Sequence, residues 1–194
     1  MVRKFAAFVL ITLLSLPACG MAHAPLNPVQ ALTTADGRIF CTAFSINEAA
    51  GYWATAAHCS AYALTEKLEV FINGEHAWIV MQGFPTTDTA VFQSEAHAPA
   101  FYLANVAPQV GDSLTVIGYA YGITRMVTTG TMAARRIPII HPSTEYYMTS
   151  DILAVTTAGG NSGSPILDKT GYVIGVLWGG FTDSAHSLGV SYEG

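Results

Sequence analysis

The sequence predicts an all-β protein built from two packed β-barrels, and three observations lead to this fold class. Hydrophobic residues make up 51% of the 194 residues and charged residues only 11%, a composition that excludes a disordered chain. Glycine occurs 18 times, and the β-favouring Thr, Val, Ile, Tyr and Phe are common. About eleven short apolar runs alternate with Gly, Pro and Asn, a pattern typical of strands joined by tight turns.

The predicted strands begin near residue 38 and continue to the end of the chain. They are 38–46, 51–56, 67–73, 76–82, 89–94, 113–120, 124–134, 145–149, 163–167, 172–178 and 188–193. Only 56–61 is expected to form a helical turn. The segment 103–111, which contains Pro108, is the predicted connection between the barrels. The first barrel would then cover about 36–104 and the second about 105–194.

The N-terminus has the pattern of an export signal. Arg3 and Lys4 precede an apolar run over 5–16 that is too short for a stable membrane span. We therefore predict that residues 1–18 are a signal peptide. Residues 19–35 contain prolines, alanines and threonines without a sustained period, and we predict that they form a tether ahead of a folded domain at 36–194.

Two cleavage sites compete at the end of this signal. The first lies before Cys19 in a Leu-Pro-Ala-Cys sequence that resembles the bacterial lipobox, so that Cys19 would carry a lipid and become the mature N-terminus. The second lies after Ala24, where Pro25 would occupy a position that signal peptidases tolerate poorly. The chain has three cysteines, and export permits a disulfide between Cys41 and Cys59. Lipidation would explain the odd cysteine, and we favour it over simple removal with the signal.

Three segments contain the residue types of a serine hydrolase. Thr-Ala-Ala-His-Cys at 55–59 follows a predicted strand, and Gly-Gly-Asn-Ser-Gly-Ser-Pro at 159–165 precedes another. Between them, Thr-Asp-Thr-Ala-Val-Phe at 87–92 places an acid at the start of an apolar strand. The candidate catalytic residues are therefore His58, Asp88 and Ser162.

The chemistry of acyl transfer explains why these residue types belong together. A serine hydroxyl is a weak nucleophile, so Ser162 needs a base, and a histidine such as His58 can take the proton and return it to the leaving amine. A carboxylate such as Asp88 fixes the tautomer of the imidazole and stabilises the imidazolium. The developing oxyanion needs preformed donors, and the backbone N–H groups of Gly160 and Ser162 are the candidates.

Together these segments resemble the chymotrypsin-like (trypsin-fold) serine peptidases, from about residue 38 to the C-terminus. The stretch 156–165, followed by Ile-Gly-Val-Leu-Trp-Gly-Gly at 174–180, is most similar to the bacterial glutamyl-endopeptidase branch. The resemblance implies two antiparallel six-stranded Greek-key barrels with the active site in the cleft between them. It also implies that Cys41 and Cys59 pair, which would pin the strand before the catalytic histidine.

The resemblance places Thr157 and Leu177 in the pocket for the substrate residue before the scissile bond, and we expect Trp178 to line the cleft. Glutamyl endopeptidases carry a histidine where this chain has Leu177. A leucine donates no hydrogen bond, and burying a carboxylate without a partner is costly. We therefore predict a preference for a neutral residue rather than for glutamate.

The other histidines lack the spacing of metal ligands, and we interpret them as surface or packing residues. They are His23, His76, His97, His141 and His186. The alternative for His141 is that it approaches the cleft from the second barrel. We predict no metal and no cofactor. The formal net charge is −5 and Lys and Arg do not cluster, so a nucleic-acid partner is not expected.

The sequence thus predicts an exported serine endopeptidase that forms an acyl-enzyme intermediate on protein or peptide substrates. We expect a monomer that meets the membrane only through an N-terminal lipid, or else a secreted form. The alternative is a catalytically silent exported module that keeps the fold to bind peptides. The complete set of three catalytic residue types favours the enzyme, because a binding module has no need for all three.

Overall fold

A computed structural model of the chain describes residues 25–84, 86–142, 145–181 and 186–191. Within these residues the protein forms two closed antiparallel barrels of six strands each, which confirms the predicted fold class. The first barrel consists of β1 (Val29–Thr34), β2 (Ile39–Asn47), β3 (Tyr52–Thr55), β4 (Val70–Ile72), β5 (Glu75–Gln82) and β6 (Ala90–Ser94). The one α-helix among the described residues, α1 (Ala57–Thr65), lies between β3 and β4.

The second barrel repeats the topology of the first. It consists of β7 (Ser113–Gly118), β8 (Met126–Ile140), β9 (Tyr147–Ala154), β10 (Pro165–Leu167), β11 (Val173–Gly180) and β12 (Ser187–Ser191). The neighbour orders are β1-β2-β3-β6-β5-β4 and β7-β8-β9-β12-β11-β10. The first and last strands of each order pair, β4 with β1 and β10 with β7, so both sheets close. The crossing from the third strand to the fourth, past the sixth, is the Greek-key connection.

Apolar side chains fill each barrel and also hold the two barrels together. Trp53 and Phe92 are almost completely buried in the first barrel, and Leu153 is buried in the second. A separate cluster lies between the barrels, where Phe44 of β2 packs with Val176 of β11. Burying a side chain of this size contributes about 1.5–3 kcal/mol, so this contact fixes the relative position of the barrels.

The predicted tether is wrong in its second half, because the first barrel begins inside it. Strand β1 pairs with β2 on one side and β4 on the other, and it is needed to close the sheet. Its sequence, Val-Gln-Ala-Leu-Thr-Thr, has a weak strand pattern of its own. A tight turn joins β1 to β2: the Gly37 N–H donates to the Thr34 carbonyl at 2.9 Å, and Gly37 has a φ of +81°. Long-range pairing therefore stabilises a strand that local sequence does not predict. The signal peptide and Cys19 lie outside the described residues.

Helix α1 is longer than the single turn predicted at 56–61. Its sequence, Ala-His-Cys-Ser-Ala-Tyr-Ala-Leu-Thr, is rich in alanine, the strongest helix former, but shows little amphipathic period. The helix ends in a Schellman motif, in which the Leu68 N–H donates to the Ala63 carbonyl at 2.8 Å and Lys67 takes a φ of +53°. No helix among the described residues is long and apolar enough to cross a bilayer.

A disulfide joins the middle of β2 to the first turn of α1. The Cα atoms of Cys41 and Cys59 are 6.2 Å apart, and the bond closes a sequence separation of 18 residues. Both cysteines are buried in the core of the first barrel. The pairing that the family resemblance implied is therefore present in the structure.

The double substitution of Cys41→Ala and Cys59→Ala is expected to lower the free energy of unfolding by about 3 kcal/mol, because the open loop gains entropy in the unfolded chain. Urea unfolding in oxidising and reducing buffer measures the effect. Reductant should destabilise the wild type and leave the double variant unchanged. Equal sensitivity of both proteins to reductant would contradict the assigned bond.

Candidate active site

His58 and Asp88 come together because of the way β3 and β6 pair. The two strands are antiparallel neighbours, with Thr55 opposite Ala90. His58 follows the end of β3 in the first turn of α1, and Asp88 lies just ahead of β6. Because the chain leaves β3 and enters β6 at the same end of the sheet, the side chains of His58 and Asp88 lie at the same edge. This edge faces the second barrel.

The Asp88 carboxylate binds His58 through two hydrogen bonds, one with the imidazole ring and one from the backbone N–H. The ring Nδ1 of His58 lies 2.7 Å from Asp88 Oδ2, and the backbone N–H of His58 donates to Asp88 Oδ1 at 2.8 Å. The Asp88 side chain is fully buried, whereas the His58 side chain is 29% exposed. With Nδ1 bound to the carboxylate, Nε2 is the ring nitrogen left to exchange a proton with a substrate or a nucleophile.

Asp88 stays ionised despite its burial. Burial by itself would raise the pKa of the carboxyl group. The hydrogen bonds and charge of His58, together with a further hydrogen bond from His141, outweigh that effect and lower the pKa of Asp88 below its ordinary value. The site therefore contains a carboxylate rather than a carboxylic acid at neutral pH.

Ser162 lies in two consecutive tight turns of the second barrel. The Asn161 N–H donates to the Ala158 carbonyl at 3.1 Å, and the Ser164 N–H donates to the Asn161 carbonyl at 2.9 Å. Gly163 has a φ of +87°, and a Cβ on it would collide with Thr55, at the end of β3. The serine turn is thus packed directly against the segment of the first barrel that leads into α1, the helix that carries His58.

Thr42 connects this turn to both barrels, and sequence reasoning missed it. Its N–H donates to the Ser162 carbonyl at 2.8 Å, and its hydroxyl donates to the Gly160 carbonyl at 2.8 Å. The same hydroxyl accepts the Tyr119 N–H at 3.0 Å, and the Thr42 carbonyl accepts the Thr55 hydroxyl at 2.7 Å. Thr42 is completely buried. A threonine inside an apolar strand gives no sequence signal for this role.

Two backbone N–H groups of the serine turn are available to a ligand. Gly160 has a φ of +93° at the third position of its turn, as a type II turn requires. A Cβ on Gly160 would collide with the Tyr119 carbonyl, so only glycine fits. Among the described residues, the N–H groups of Gly160 and Ser162 have no hydrogen-bond acceptor. These are the donors that the sequence analysis assigned to an oxyanion hole.

The described residues contain no hydrogen bond between the Ser162 hydroxyl and His58. Catalytic hydrogen bonds are often long or poorly aligned before substrate binds, so this arrangement is compatible with a resting enzyme. The contact between the disulfide and the serine turn keeps the two segments close, with Cys59 Sγ 3.8 Å from the Ser162 carbonyl oxygen.

A pocket of about 330 Å³ opens beside Ser162. It is lined by Thr157, Ala158, Gly159, Ser162, Leu177, Gly179, Gly180 and Phe181. Thr157 and Leu177, which the sequence analysis assigned to the substrate pocket, both line this cavity, and its role in binding substrate stays a prediction. None of the described lining side chains carries a charge.

Trp178 is placed differently from the expectation that it lines the cleft. It is only 5% exposed and does not belong to the pocket lining. Its indole N–H donates to Ser150 Oγ at 3.1 Å, and its ring lies 5.0 Å from the ring of His141. Side chains alternate along a strand, so Leu177 at the pocket leaves Trp178 on the opposite face of β11.

His141 is the residue whose position differs most from the preferred interpretation. It follows β8 and is 3% exposed, and its Nε2 lies 3.1 Å from Asp88 Oδ2. The structure agrees with the alternative interpretation, in which His141 approaches the cleft from the second barrel. Of the other described histidines, His76 stacks on Trp78 and His97 bonds the Glu48 carbonyl, as packing and surface residues do.

Among the described residues, two groups of side chains have ligand atoms close enough to consider a metal ion. Cys41 and Cys59 are near His58, but their sulfurs are committed to the disulfide. His58, Asp88 and His141 form the second group, and their ligand atoms are already joined by hydrogen bonds. The absence of a metal or cofactor stays a prediction.

The fold and the residues gathered at the barrel junction define the class of protein, a trypsin-fold protein with a serine turn facing a histidine and a buried aspartate. The model of the trypsin-like peptidase domain matches residues 41–176, well over half of the chain. The chain therefore belongs to the trypsin-like peptidase family.

Solved structures show the same fold. The Rv3671c protease of M. tuberculosis in an inactive form is 20% identical with a TM-score of 0.71, and the match covers 84% of this chain and 83% of that one. The serine endoprotease from Yersinia pestis is 19% identical with a TM-score of 0.67, covering 86% of this chain and 59% of that one. The HtrA-type protease AlgW with a tripeptide is 22% identical with a TM-score of 0.68, covering 84% and 56%.

At these identities the likeness establishes the fold alone, and the chain spans little more than half of the last two proteins. Among curated proteins, none matches this sequence significantly. The comparisons do not single out the glutamyl-endopeptidase branch, so that finer assignment stays a prediction.

The pH dependence of stability tests the ionisation of Asp88. Because the pKa of Asp88 is lower in the folded protein, its carboxylate stabilises the fold above the unfolded pKa of about 3.9. This contribution is lost as the pH falls through the lower folded value. Urea unfolding between pH 7 and pH 3 should show a smaller acid-induced loss for Asp88→Asn than for the wild type. Glu95→Gln, which changes an exposed carboxylate, is the control and should follow the wild type. Parallel curves for wild type and Asp88→Asn would contradict the lowered pKa.

Proposed function

We propose that this protein is an exported serine endopeptidase that cleaves peptide bonds through an acyl-enzyme on Ser162. The observation that carries the proposal is the arrangement around that serine. Among the described residues, two backbone N–H groups in its own turn have no acceptor, and the pocket beside it is lined by uncharged side chains. An imidazole held by a buried carboxylate stands on the facing barrel. Membership of the trypsin-like peptidase family supports the reaction class.

The mechanism follows from these groups. Ser162 Oγ attacks the scissile carbonyl carbon as its proton passes to Nε2 of His58, and the carbonyl oxygen takes up negative charge. The N–H groups of Gly160 and Ser162 donate to that oxyanion, each worth about 3–4 kcal/mol of transition-state stabilisation. The intermediate collapses as His58 protonates the leaving amine, which leaves an ester on Ser162. A water molecule, deprotonated by His58, then hydrolyses the ester and restores the serine.

An extended peptide can reach Ser162 along the free edge of β11. On the β10 side, the last backbone hydrogen bonds of β11 among the described residues are those at Leu177, which bonds Gly163 and Ser164. On the other side, pairing with β12 continues to Gly180. Residues 178–180 therefore have one edge open, and a substrate strand added there would run beside the pocket.

The pocket chemistry supports a preference for a neutral residue. Ser187 donates its only hydroxyl proton to the Val155 carbonyl at 2.8 Å. The Thr157 hydroxyl, 2.7 Å from Ser187 Oγ, must therefore be the donor in their shared hydrogen bond. Thr157 is left with only acceptor capacity toward the pocket. The Thr157 oxygen, which can only accept hydrogen bonds, repels the carboxylate of a substrate glutamate. A neutral side chain, either an apolar one or one with a hydrogen-bond donor, fits beside it and Leu177.

Export is inferred from the N-terminal pattern and from the disulfide, since disulfides persist in oxidising compartments. Attachment of a lipid to Cys19 and a monomeric state belong to the same proposal.

Covalent labelling tests the nucleophile. A fluorophosphonate probe is expected to label the wild type and to leave Ser162→Ala unlabelled, because phosphonylation needs the activated hydroxyl. Ser164→Ala is the matched control. The Ser164 hydroxyl is buried in the same segment and has no hydrogen-bond partner in the described part of the chain, so its loss should preserve both folding and labelling. Labelling is followed by intact-protein mass spectrometry.

If the probe does not label a wild-type protein that has an intact disulfide and a normal unfolding transition, the proposal that the protein is an enzyme is overturned. Peptide binding by that unlabelled protein would favour the silent peptide-binding module. That alternative is consistent with the absent Ser162–His58 hydrogen bond.

Specificity can be tested through the proton on Thr157. Ser187→Ala removes its acceptor and frees the Thr157 proton for a substrate carboxylate. The ratio of kcat/KM for glutamate over glutamine before the scissile bond should rise a few-fold, the value of about one net hydrogen bond. Adding Thr157→Val to Ser187→Ala should cancel the rise. Cleavage profiling of the wild type on a peptide library should show neutral residues at this position, and a strong glutamate preference would refute the interpretation of Leu177.

A further inference from the structure

His141 comes to the active site on a long hairpin of the second barrel. Strands β8 and β9 pair up to Ile140 opposite Tyr147, and His141 stands at the beginning of the turn between them. Two backbone hydrogen bonds shape this turn: the His141 N–H donates to the Tyr146 carbonyl, and the Glu145 N–H donates to the His141 carbonyl, both at 2.9 Å. The hairpin thereby carries one side chain of the second barrel across to the acid of the first.

The contact of His141 with Asp88 is a buried hydrogen bond of fixed polarity. Nε2 of His141 lies 3.1 Å from Asp88 Oδ2, and the two side chains are 4% and 0% exposed. Because an ionised carboxylate only accepts hydrogen bonds, the proton lies on Nε2 of His141. Oδ2 is also the oxygen that binds Nδ1 of His58, so the two imidazoles share one acceptor atom.

The ring of His141 packs against two aromatic side chains. Phe84 meets it edge-on with the ring centroids 5.3 Å apart, and Trp178 lies at 5.0 Å in a tilted arrangement. Trp178 is itself fixed by its hydrogen bond to Ser150. A buried ring packed in this way has little freedom to rotate, so the N–H is directed at Asp88 as a preset donor.

We propose that His141 is a positioning residue for the peptidase reaction, which holds Asp88 in the orientation that aligns His58 and withdraws part of the carboxylate charge from it. This inference rests on the proposed function. It gives the second barrel a part in orienting the acid and the base of the first barrel, in addition to supplying Ser162. Trp178 lies on the same strand as the pocket residue Leu177, and its ring packs against the imidazole that makes this bond.

The charged and titratable groups around the bond come from three segments. Asp88 and His58 belong to the first barrel, and Glu145 and Tyr146 lie on the turn of His141 itself. Toward the base of the hairpin, Arg135 pairs with Asp151 at 3.4 Å. Phe84 and Trp178, which cover the ring, do not titrate. Loss of the His141 donor should therefore act mainly through the Asp88–His58 pair.

Two substitutions separate positioning from packing. His141→Phe keeps a ring between the aromatic neighbours but removes the donor, and His141→Gln keeps an N–H near the position of Nε2. We expect His141→Phe to lower kcat about tenfold with little change in KM, since a hydrogen bond to a charged group is lost. More negative charge then remains on Asp88 for the imidazolium of His58, so the acidic limb of the kcat/KM profile moves to higher pH. His141→Gln should restore most of kcat.

The control for the pH profile is His76→Phe, which removes an exposed histidine of the first barrel and should leave both kcat and the acidic limb unchanged. Equal losses in His141→Phe and His141→Gln, with a lower unfolding temperature and an unmoved acidic limb, would assign a packing role and overturn the proposal. Unchanged kinetics in His141→Phe would overturn it as well.

A spectroscopic measurement keeps this inference separate from the proposed function. In protein labelled with ¹⁵N at histidine, the far-downfield proton between His58 and Asp88 should shift in His141→Phe and return toward the wild-type position in His141→Gln. The signal needs no turnover. If the wild type neither cleaves peptides nor reacts with the probe, the proposed function fails while this shift still decides the role of His141. An unshifted proton in a folded His141→Phe variant would overturn that role.

Discussion

The structure depends on one buried carboxylate at the junction of the two barrels. Removing an ionised group from water costs several kcal/mol unless nearby donors replace its hydration. Asp88 is fully buried and receives three N–H groups, two from His58 and one from His141. These donors belong to the first turn of α1 and to the tip of the β8–β9 hairpin. Satisfying one carboxylate therefore requires the helix, the start of β6 and the hairpin to converge.

Thr42 plays a comparable part on the serine side of the cleft. Its backbone and hydroxyl bind the carbonyl groups of Ser162 and Gly160, so the serine turn is attached to β2 of the first barrel. The disulfide attaches that same strand to α1, which carries His58. The geometry of the site is thus held by contacts that cross between the barrels at two points. A single barrel contains neither the complete set of catalytic groups nor the bonds that orient them.

Sequence reasoning succeeded where the information is local. The eleven predicted strands correspond to β2–β12, since the short apolar runs that predicted them are bounded by turn-forming residues. The serine and histidine motifs are short, and the residues that define each motif are adjacent in the sequence, so they can be identified without knowledge of the fold. Strand β1 was not predicted because its Gln, Ala and Thr residues have a weak strand pattern. Its strand conformation depends on pairing with β2 and β4.

The side-chain contacts across the cleft required the structure. His141 lies 53 residues from Asp88 in sequence, and no spacing rule connects them. Trp178 was expected to line the cleft beside the strand edge that a substrate would join, but strand alternation directs it to the opposite face, where it meets His141. Thr42 gave no sequence signal at all. These residues act through tertiary contacts of buried polar groups, which a single sequence does not encode locally.

A structure of the protein inactivated by a peptidyl phosphonate would show directly whether Ser162 is the nucleophile and whether its turn binds the oxyanion. We expect a covalent bond from Ser162 Oγ to phosphorus, with one phosphonyl oxygen within hydrogen-bond distance of the Gly160 and Ser162 N–H groups. Nε2 of His58 should lie beside the position of the leaving group. The first side chain of the inhibitor should fill the pocket between Thr157 and Leu177. An adduct on another residue, or an oxygen that points away from both N–H groups, would contradict the proposed mechanism.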